Sequence, residues 1–287
     1  MTADGERRGA AIGNGGKPAT NGHSVPAPEM GAFLPFAPNS MIRRVHGEGI
    51  LLLGGGRALL MQIAHPAVAR GVQEHSSFRK DRRKRLLRTL RPMFAIAFGS
   101  KQQALDAAAM VNHLHEDVVG PGYRATDPDL LLWVLATLID SALFVHERFL
   151  RPLRPAETEA YYADMLLVGE LLGIPPGYAP STYKAFRAYF DTTLESLRVS
   201  NEARGICRDL FRGLLVWPVM LPVRQLTSGL LPSSLREQFG LPWGPRRERW
   251  LRRIEFASRR LLPFVPRRWR RPPWFVMPGE ADGSLKG

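Results

Sequence analysis

Apolar residues along most of this chain recur at three- and four-residue spacing, and few stretches alternate between apolar and polar as strands do. The pattern predicts successive helices joined by turns rich in proline and glycine. Pro66, Gly120 and Ser181 mark helix ends, and Pro92 is expected to kink or end its helix near Arg91. The predicted helices cover positions 56–64, 66–75, 80–99, 101–120, 126–150, 155–174 and 181–197.

The chain shows neither an internal repeat nor a clear domain boundary, which predicts an all-α fold with a single large helical domain at residues 39–275. With 287 residues, 45% of them hydrophobic, it is long enough to bury a large core. Residues 1–38 are rich in small and polar residues and are expected to form a disordered N-terminal tail. Residues 276–287 are expected to form a flexible C-terminus.

The most apolar stretch, "DLLLWVLATLIDSALFV" at 129–145, is slightly short for a membrane span and contains Asp140. A buried helix of a large helical protein is therefore the favoured interpretation. Cys207 is the one cysteine, which excludes an intramolecular disulfide and fits a reducing compartment. The opening "MTADGERRGAAIGNGG" lacks the apolar core of a secretory signal. We expect a cytoplasmic protein, peripheral to a membrane at most and not secreted.

Positive charge is concentrated near the C-terminus of a chain whose formal net charge is +14. Residues 245–275 combine many arginines with Trp250, Trp269 and Trp274. This mixture fits a solvated basic surface with buried tryptophans, a face that contacts anionic lipid, or a nucleic-acid contact. No motif that reads DNA or RNA is present, so no nucleic-acid partner is expected and peripheral membrane contact is retained as a hypothesis.

Two histidines in "MVNHLHEDVVG" face different ways on one predicted helix. His115 shares an apolar stripe with Ala108, Val111 and Val118, whereas His113 lies on the polar side. An exposed imidazole beside acids is the simple interpretation for His113. A buried His115 needs partners for its ring nitrogens, which a backbone carbonyl or a metal or haem iron would supply.

Upstream, Arg85, Arg88 and Thr89 fall at i, i+3 and i+4 and so share a helix face. They could hold carboxylates such as haem propionates or polarise bound oxygen; the alternative is an exposed basic stripe. His65, before Pro66, is a candidate cofactor contact or a simple helix end. The next helix ends with Glu74, a general base if buried, and His75, a pocket or core residue.

Several other chemistries lack their signatures. Neither His-Glu-x-x-His nor Glu-x-x-His occurs, and a single cysteine excludes a cysteine-based zinc cluster. "LLLGGGRALL" at 51–60 matches neither nucleotide-binding glycine pattern, so a turn into a closely packed helix is the better account. No Gly-x-Ser-x-Gly elbow is present, which argues against an α/β-hydrolase. Cys207 is more simply a small buried residue than a haem thiolate.

The motifs "LLMQIAHPAVARGVQEHSSF", "RLLRT", "VNHLHEDVVG" and "YRATDPDLLLWVLATLIDS" occur in this order. Together they resemble the MpaB-type oxygenases, the family that includes latex clearing protein, the rubber oxygenase. The likeness covers roughly positions 43–253 and is most specific at 62–141. It implies a globin-like packing of helices around a haem b pocket. It also implies oxidative cleavage of isoprenoid carbon–carbon double bonds with O2.

The resemblance implies His115 as the axial iron ligand, since it matches the histidine of a V-x-x-x-H-x-x-V-x-G pattern. Arg85, Arg88 and Thr89 match a distal Arg-x-x-Lys-Thr group, with Arg88 in place of lysine. Arginine does not readily lose its proton and is a poor iron ligand, so lysine ligation is in doubt. Glu74 is the nearest counterpart of a distal glutamate, although its spacing does not match well.

The expected function is therefore that of a haem-dependent oxidoreductase, an oxygenase that uses O2 on an apolar or polyprenoid substrate. The missing lysine keeps open a second hypothesis, a non-catalytic helical protein that binds haem or lipid at a membrane surface. A third is a basic nucleic-acid-binding protein. The substrate and the type of oxidation are not fixed by the sequence.

Overall fold

The computed structural model describes residues 36–75, 82–212 and 221–271, with the side chains of 82–89 and 212 excepted. Helices account for most of these residues, and short loops connect them. The α-helices of the described part are α1 Met41–His46, α2 Gly55–Ala64, α3 Pro66–His75, α4 Arg82–Phe98, α5 Lys101–Glu116, α6 Pro128–Phe149, α7 Pro155–Leu171, α8 Tyr183–Ser196, α9 Asn201–Arg212, α10 Leu221–Leu230, α11 Ser233–Gln238, α12 Pro245–Leu261 and α13 Arg267–Arg270.

The prediction of a single all-α domain is confirmed. Within the described residues, the 3₁₀-helices Gly49–Gly54 and Leu262–Phe264 extend the helical content. The extended structure of the described residues is one antiparallel ladder of two-residue strands, β1 Val119–Gly120 and β2 Tyr123–Arg124.

Three predicted helix ends differ from the structure. Pro92 does not end its helix, because α4 continues through it to Phe98. The helix predicted over 101–120 stops at Glu116, and its last residues pair instead as β1. Thr182 rather than Ser181 caps α8, its hydroxyl accepting from the Ala185 amide at 3.2 Å. Such ends depend on which side chain reaches a free amide, which apolar periodicity does not record.

Helix α6 runs through the centre of the core. Its Trp133 is almost fully buried, stacks on Phe190 with ring centroids 5.6 Å apart, and donates its indole N–H to the Met61 carbonyl at 3.2 Å. Among the described helices, α6 alone has the length and mean hydropathy, 1.7, of a membrane span, and 67% of that window is buried within the protein. This burial agrees with the prediction of a core helix.

A charge lies on the same helix and is paired inside the fold. Asp140, 6% exposed, contacts the guanidinium of Arg57, which is 4% exposed, at 2.6 Å, and also pairs with Arg187. The other guanidinium contacts of Arg57 are the Leu230 carbonyl and the Ser141 hydroxyl, both at 2.9 Å. One carboxylate thus connects α2 and α8 to α6.

The glycine-rich stretch allows close helix packing, as predicted. A β-carbon on Gly56 would lie 2.3 Å from the Thr227 hydroxyl on α10, and one on Gly54 would lie 3.1 Å from Val145 on α6. Behind this contact, α12 packs on α6 and α10 through a second apolar cluster. The cluster comprises Val145, Phe149, Leu226, Leu230 and Leu251, with Trp243, Trp250 and Ile254 against it.

Of the two predicted domain limits, the N-terminal one lies within the described residues. Phe36, which lies inside the span expected to be a tail, is 4% exposed and belongs to the main core. Positions 1–35 and 272–287 lie outside the described residues, and the disorder expected of both ends therefore stays a prediction.

Candidate functional site

His115 is positioned by the antiparallel hairpin of α4 and α5. A capping box starts α5: the Ser100 hydroxyl accepts from the Gln103 amide at 3.3 Å, and the Gln103 side chain accepts from the Ser100 amide at 2.8 Å. Two amide groups that a helix start leaves free are thereby satisfied. The cap fixes where α5 begins and hence the rotational setting of every residue along it, including His115.

A tight turn holds the other end of α5. The Val118 amide donates to the His115 carbonyl at 3.1 Å, and the chain then enters the β1–β2 ladder. Gly122 in the connection has φ +76°, a backbone conformation that favours glycine. Tyr123 packs against Gly71 of α3, where a β-carbon would lie 3.3 Å from the ring. The last turn of α5 is therefore held both by the tight turn that leads into the ladder and by the packing of Tyr123 on α3.

The His115 imidazole is half-buried, and its buried Nδ1 has no hydrogen-bond partner among the described residues. Burial lowers the pKa of this histidine, so the ring is neutral near pH 7 and keeps an available lone pair. The expected apolar stripe is present, since Ala108 is buried and Val111 and Val118 are half-buried. The alternative interpretation was a core histidine whose ring bonds to a backbone carbonyl. No such bond is present at Nδ1 among the described residues.

Asn112, one turn before His115, is a positioning residue that sequence reasoning missed. Its side-chain amide donates to the Leu171 carbonyl at the end of α7, at 2.9 Å, and its buried Oδ1 has no partner among the described residues. The bond ties the last turns of α5 to α7. An asparagine inside a helix, three residues before a candidate ligand, was the available signal, because asparagine is unfavourable there unless its side chain bonds.

The predicted group of Arg85, Arg88 and Thr89 lies on α4 at about the same height along the helical hairpin as His115 does on α5. Position 85 lies 14 residues before Gly99, and His115 lies 15 residues after Ser100. At about 1.5 Å per residue, both are roughly 22 Å from the connection between the helices. Positions 88 and 89 lie one turn nearer to it. The side chains of Arg85, Arg88 and Thr89 lie outside the description, so their expected common face stays a prediction.

His65 lies at the break between α2 and α3, which agrees with its interpretation as a simple helix end. Its Nδ1 is buried and, among the described residues, has no partner. Burial lowers its pKa, and the nearby carboxylates of Asp127 and Asp129 partly oppose that shift. It is the second half-buried imidazole with an unsatisfied nitrogen, and it remains a candidate for a cofactor contact.

The end of α3 is exposed. Glu74 accepts a hydrogen bond from the Tyr123 hydroxyl at 2.5 Å, and the His75 Nε2 lies 3.1 Å from the Val119 carbonyl. Both side chains thus fasten α3 to the β1–β2 ladder. Glu74 was expected to act as a general base only if it were buried, and it is exposed in this structure. His75 is exposed as well and therefore does not lie in the core.

The remaining candidates follow their simpler interpretations. His113 is exposed and lies 3.3 Å from Glu116. Cys207 is 3% exposed, and burial raises the pKa of its thiol to about 11, which disfavours the thiolate that a haem ligand requires. Within the described ranges, no cluster of three or more His, Cys, Asp or Glu side chains could hold a metal ion. The donor that the described part offers at α5 is a single imidazole.

These features define a class: an all-helical domain with one neutral, unsatisfied imidazole at the end of a helical hairpin. Residues 43–260 match the family model described as the catalytic domain of ER-bound oxygenase mpaB/B' and rubber oxygenase. The chain belongs to this family, as its motifs predicted, and it carries an oxygenase catalytic domain. It is therefore an oxidoreductase by family.

Two mycobacterial proteins are similar to the chain. They bear the names "Uncharacterized protein Rv2237", from Mycobacterium tuberculosis, and "Uncharacterized protein Mb2261", from Mycobacterium bovis. Each is 28% identical over 222 residues, covering 71% of this chain and 87% of the relative. No solved structure matches the chain.

Proposed function

We propose that this protein is a haem b-dependent oxygenase that uses O2 on an apolar, isoprenoid or lipid-like substrate. The observation that carries the proposal is His115, a neutral imidazole with a buried nitrogen that no described group satisfies. A haem iron requires one such axial donor and no cluster of carboxylates or thiolates. The donor set of the described part therefore fits a haem better than it fits a non-haem metal ion.

In this proposal His115 holds the cofactor, and the capping box and the Asn112 bond keep its ring in place. Arg85, on the facing helix, is assigned to the cofactor carboxylates, because guanidinium groups bind carboxylates in paired geometry. Arg88 and Thr89 are assigned to the polar side of the oxygen site, where a fixed cation and a hydroxyl stabilise developing negative charge. Haem, when bound, supplies the binding and activation of O2.

Two exposed apolar side chains of α5, on a different side of the helix from His115, support contact with an apolar molecule. Met110 and Leu114 lie one turn apart on α5 and are 50% and 41% exposed. Large apolar side chains that face water near a candidate site suit contact with an apolar molecule. The family supports the same class, because a rubber oxygenase acts on an apolar polymer by its description. Oxidative cleavage of a carbon–carbon double bond is the reaction we propose on this basis.

The assignment is tested by the visible spectrum and haem content of protein produced with ample iron and porphyrin. We expect a Soret band and about one haem per chain, retained by His113→Ala and largely lost or shifted by His115→Ala. His113, two residues away and exposed, is the matched control. Full haem content with an unchanged spectrum in His115→Ala would refute the ligand role.

Oxygen uptake with polyprenoid substrates tests turnover separately. Uptake that depends on both substrate and bound haem is expected. A coloured protein that consumes no oxygen would instead support the non-catalytic haem- or lipid-binding alternative.

A further inference from the structure

A cavity far from α5 in the chain lies where α1, the α6–α7 connection and the C-terminal helices meet. Its volume is about 330 Å³, near the lower end for ligand pockets and suited to a small headgroup rather than a whole lipid. The part of the wall made by α1 and the α6–α7 connection includes Val45 and Leu153. Its polar lining comprises Arg44, Glu48, His146, Arg151, Arg267 and Arg270.

The charge of this lining is positive. Glu48 pairs with Arg270 at 3.3 Å, while Arg44 and Arg151 share Glu157 at 3.0 and 2.9 Å. Four guanidinium groups thus face two carboxylates. Arg267 has no carboxylate within salt-bridge distance in the described part of the chain. An anion entering the cavity would find a net charge of about +2 and, in Arg267, a guanidinium that forms no salt bridge among the described residues, although its charge also acts on Glu48.

Arg270 and His146 add further polar atoms to the lining. The Arg270 Nε is buried and bonds to nothing among the residues described. His146 is 7% exposed, and its Nδ1 lies 2.8 Å from the Arg151 carbonyl. Since a carbonyl only accepts, Nδ1 carries the proton and Nε2 is left with a lone pair. The lining therefore contains one donor without a partner among the described residues, Arg270 Nε, and one imidazole acceptor, His146 Nε2, as a protonated phosphate or a headgroup hydroxyl requires.

Large apolar side chains close to the lining residues in the chain are exposed to water. Leu261 is 62% exposed, Phe264 83% and Trp269 73%. Each of them lies within three positions of Pro263 or Arg267, which line the cavity. Scattered exposed apolar residues are ordinary, but three within nine positions beside a basic cavity are characteristic of a membrane-contacting surface. The alternative of buried tryptophans in the basic segment does not hold at Trp269.

We propose that this cavity binds the phosphate headgroup of an anionic lipid while Leu261, Phe264 and Trp269 enter the outer part of the bilayer. The proposal goes beyond the oxygenase assignment and does not depend on it. It commits to a lipid surface rather than to nucleic acid, because a cavity of about 330 Å³ suits one phosphate group and exposed leucine and phenylalanine gain from acyl chains. The membrane contact that the sequence analysis kept as a hypothesis for the basic C-terminal segment is thereby assigned to this cavity.

The test is co-sedimentation of the full chain with vesicles of phosphatidylcholine alone and of phosphatidylcholine mixed with phosphatidylglycerol. We expect binding to the anionic vesicles and little to the neutral ones. Arg267→Ala is expected to weaken binding about fivefold, the equivalent of one arginine near an anionic surface. Phe264→Ser is expected to weaken it as well. Both residues are exposed, so the variants should keep the wild-type unfolding midpoint.

Arg249→Ala is the matched control, since Arg249 is an exposed arginine of α12 that does not line the cavity. Its loss should change binding less than twofold. Equal losses for Arg249→Ala and Arg267→Ala would show diffuse charge attraction and overturn the headgroup site. So would equal binding to both vesicle types, or an unaffected Phe264→Ser variant.

A soluble ligand is distinguished by a third measurement. Inorganic phosphate alone, followed by calorimetry, should bind much more weakly than anionic vesicles. Binding of inorganic phosphate that depends on Arg267, without vesicle binding, would assign the cavity to a soluble phosphate and refute the membrane role. None of these readouts uses haem, so their failure is separate from failure of the oxygenase proposal.

Discussion

Removing the carboxylate of Asp140 should be one of the most damaging single changes in the core. In Asp140→Ala, Arg57 keeps its bonds to Leu230 and Ser141 but loses its counter-ion while only 4% exposed. Arg187 is different, because its side chain is 34% exposed and can turn to water. The cost therefore falls mainly on Arg57, a buried charge without compensation.

The magnitude follows from that burial. Breaking a buried ion pair from one side costs about 3–5 kcal/mol. For a domain of this size each kcal/mol corresponds to roughly 2–4 °C, so the unfolding midpoint should fall by about 6–20 °C. Urea unfolding followed by circular dichroism would measure the free energy of unfolding. Asp191→Ala is the control: Asp191 also pairs with Arg187, but it is 55% exposed and its loss should cost at most about 0.5 kcal/mol.

A double variant tests the reasoning itself. If the unpaired charge is the cause, Arg57→Met combined with Asp140→Leu should be more stable than Asp140→Ala alone, because no charge then remains buried without its partner. A loss below about 1 kcal/mol in Asp140→Ala would refute the reasoning, as would a double variant less stable than the single one.

Two further predictions concern stability. Gly56→Ala should lower the free energy of unfolding by about 1–3 kcal/mol, because the new β-carbon meets Thr227 at 2.3 Å; Gly55→Ala, which meets nothing within 4 Å, should be neutral or slightly stabilising in the same assay. Burial lowers the pKa of His46 from 6.5 to about 4, so the unfolded chain binds a proton that the folded chain does not, and stability should fall as pH decreases from about 6.5 to about 4. His46→Gln should reduce the slope of the unfolding free energy against pH between about pH 4 and pH 6.5. An unchanged slope would show that His46 does not cause this pH dependence.

Several features of the site could be predicted because they depend on neighbours within one helix. The opposite orientations of His113 and His115 follow from the helical period, and the structure has His113 exposed and His115 half-buried. The role of Asn112 could not be derived in this way. Its partner, the Leu171 carbonyl, is 59 residues away, and no local pattern specifies such a contact.

The same limit applies to Glu74 and Asp140. Spacing placed Glu74 at the end of a helix but could not say whether another element would bury it; in the fold it is exposed and bonds to Tyr123. Asp140 marked the apolar helix as unsuited to a membrane interior, yet its two arginine partners come from α2 and α8.

The sequence by itself therefore determined the helical class, the family and the opposite faces of His113 and His115, because periodicity and motif order are properties of neighbouring residues. Only the tertiary structure decided which polar groups are satisfied: Nδ1 of His115 is not, Asp140 is paired, and arginines from three separate segments line one cavity. The physical reason is that burial and charge pairing depend on distances between elements, and those distances exist only after the helices have packed.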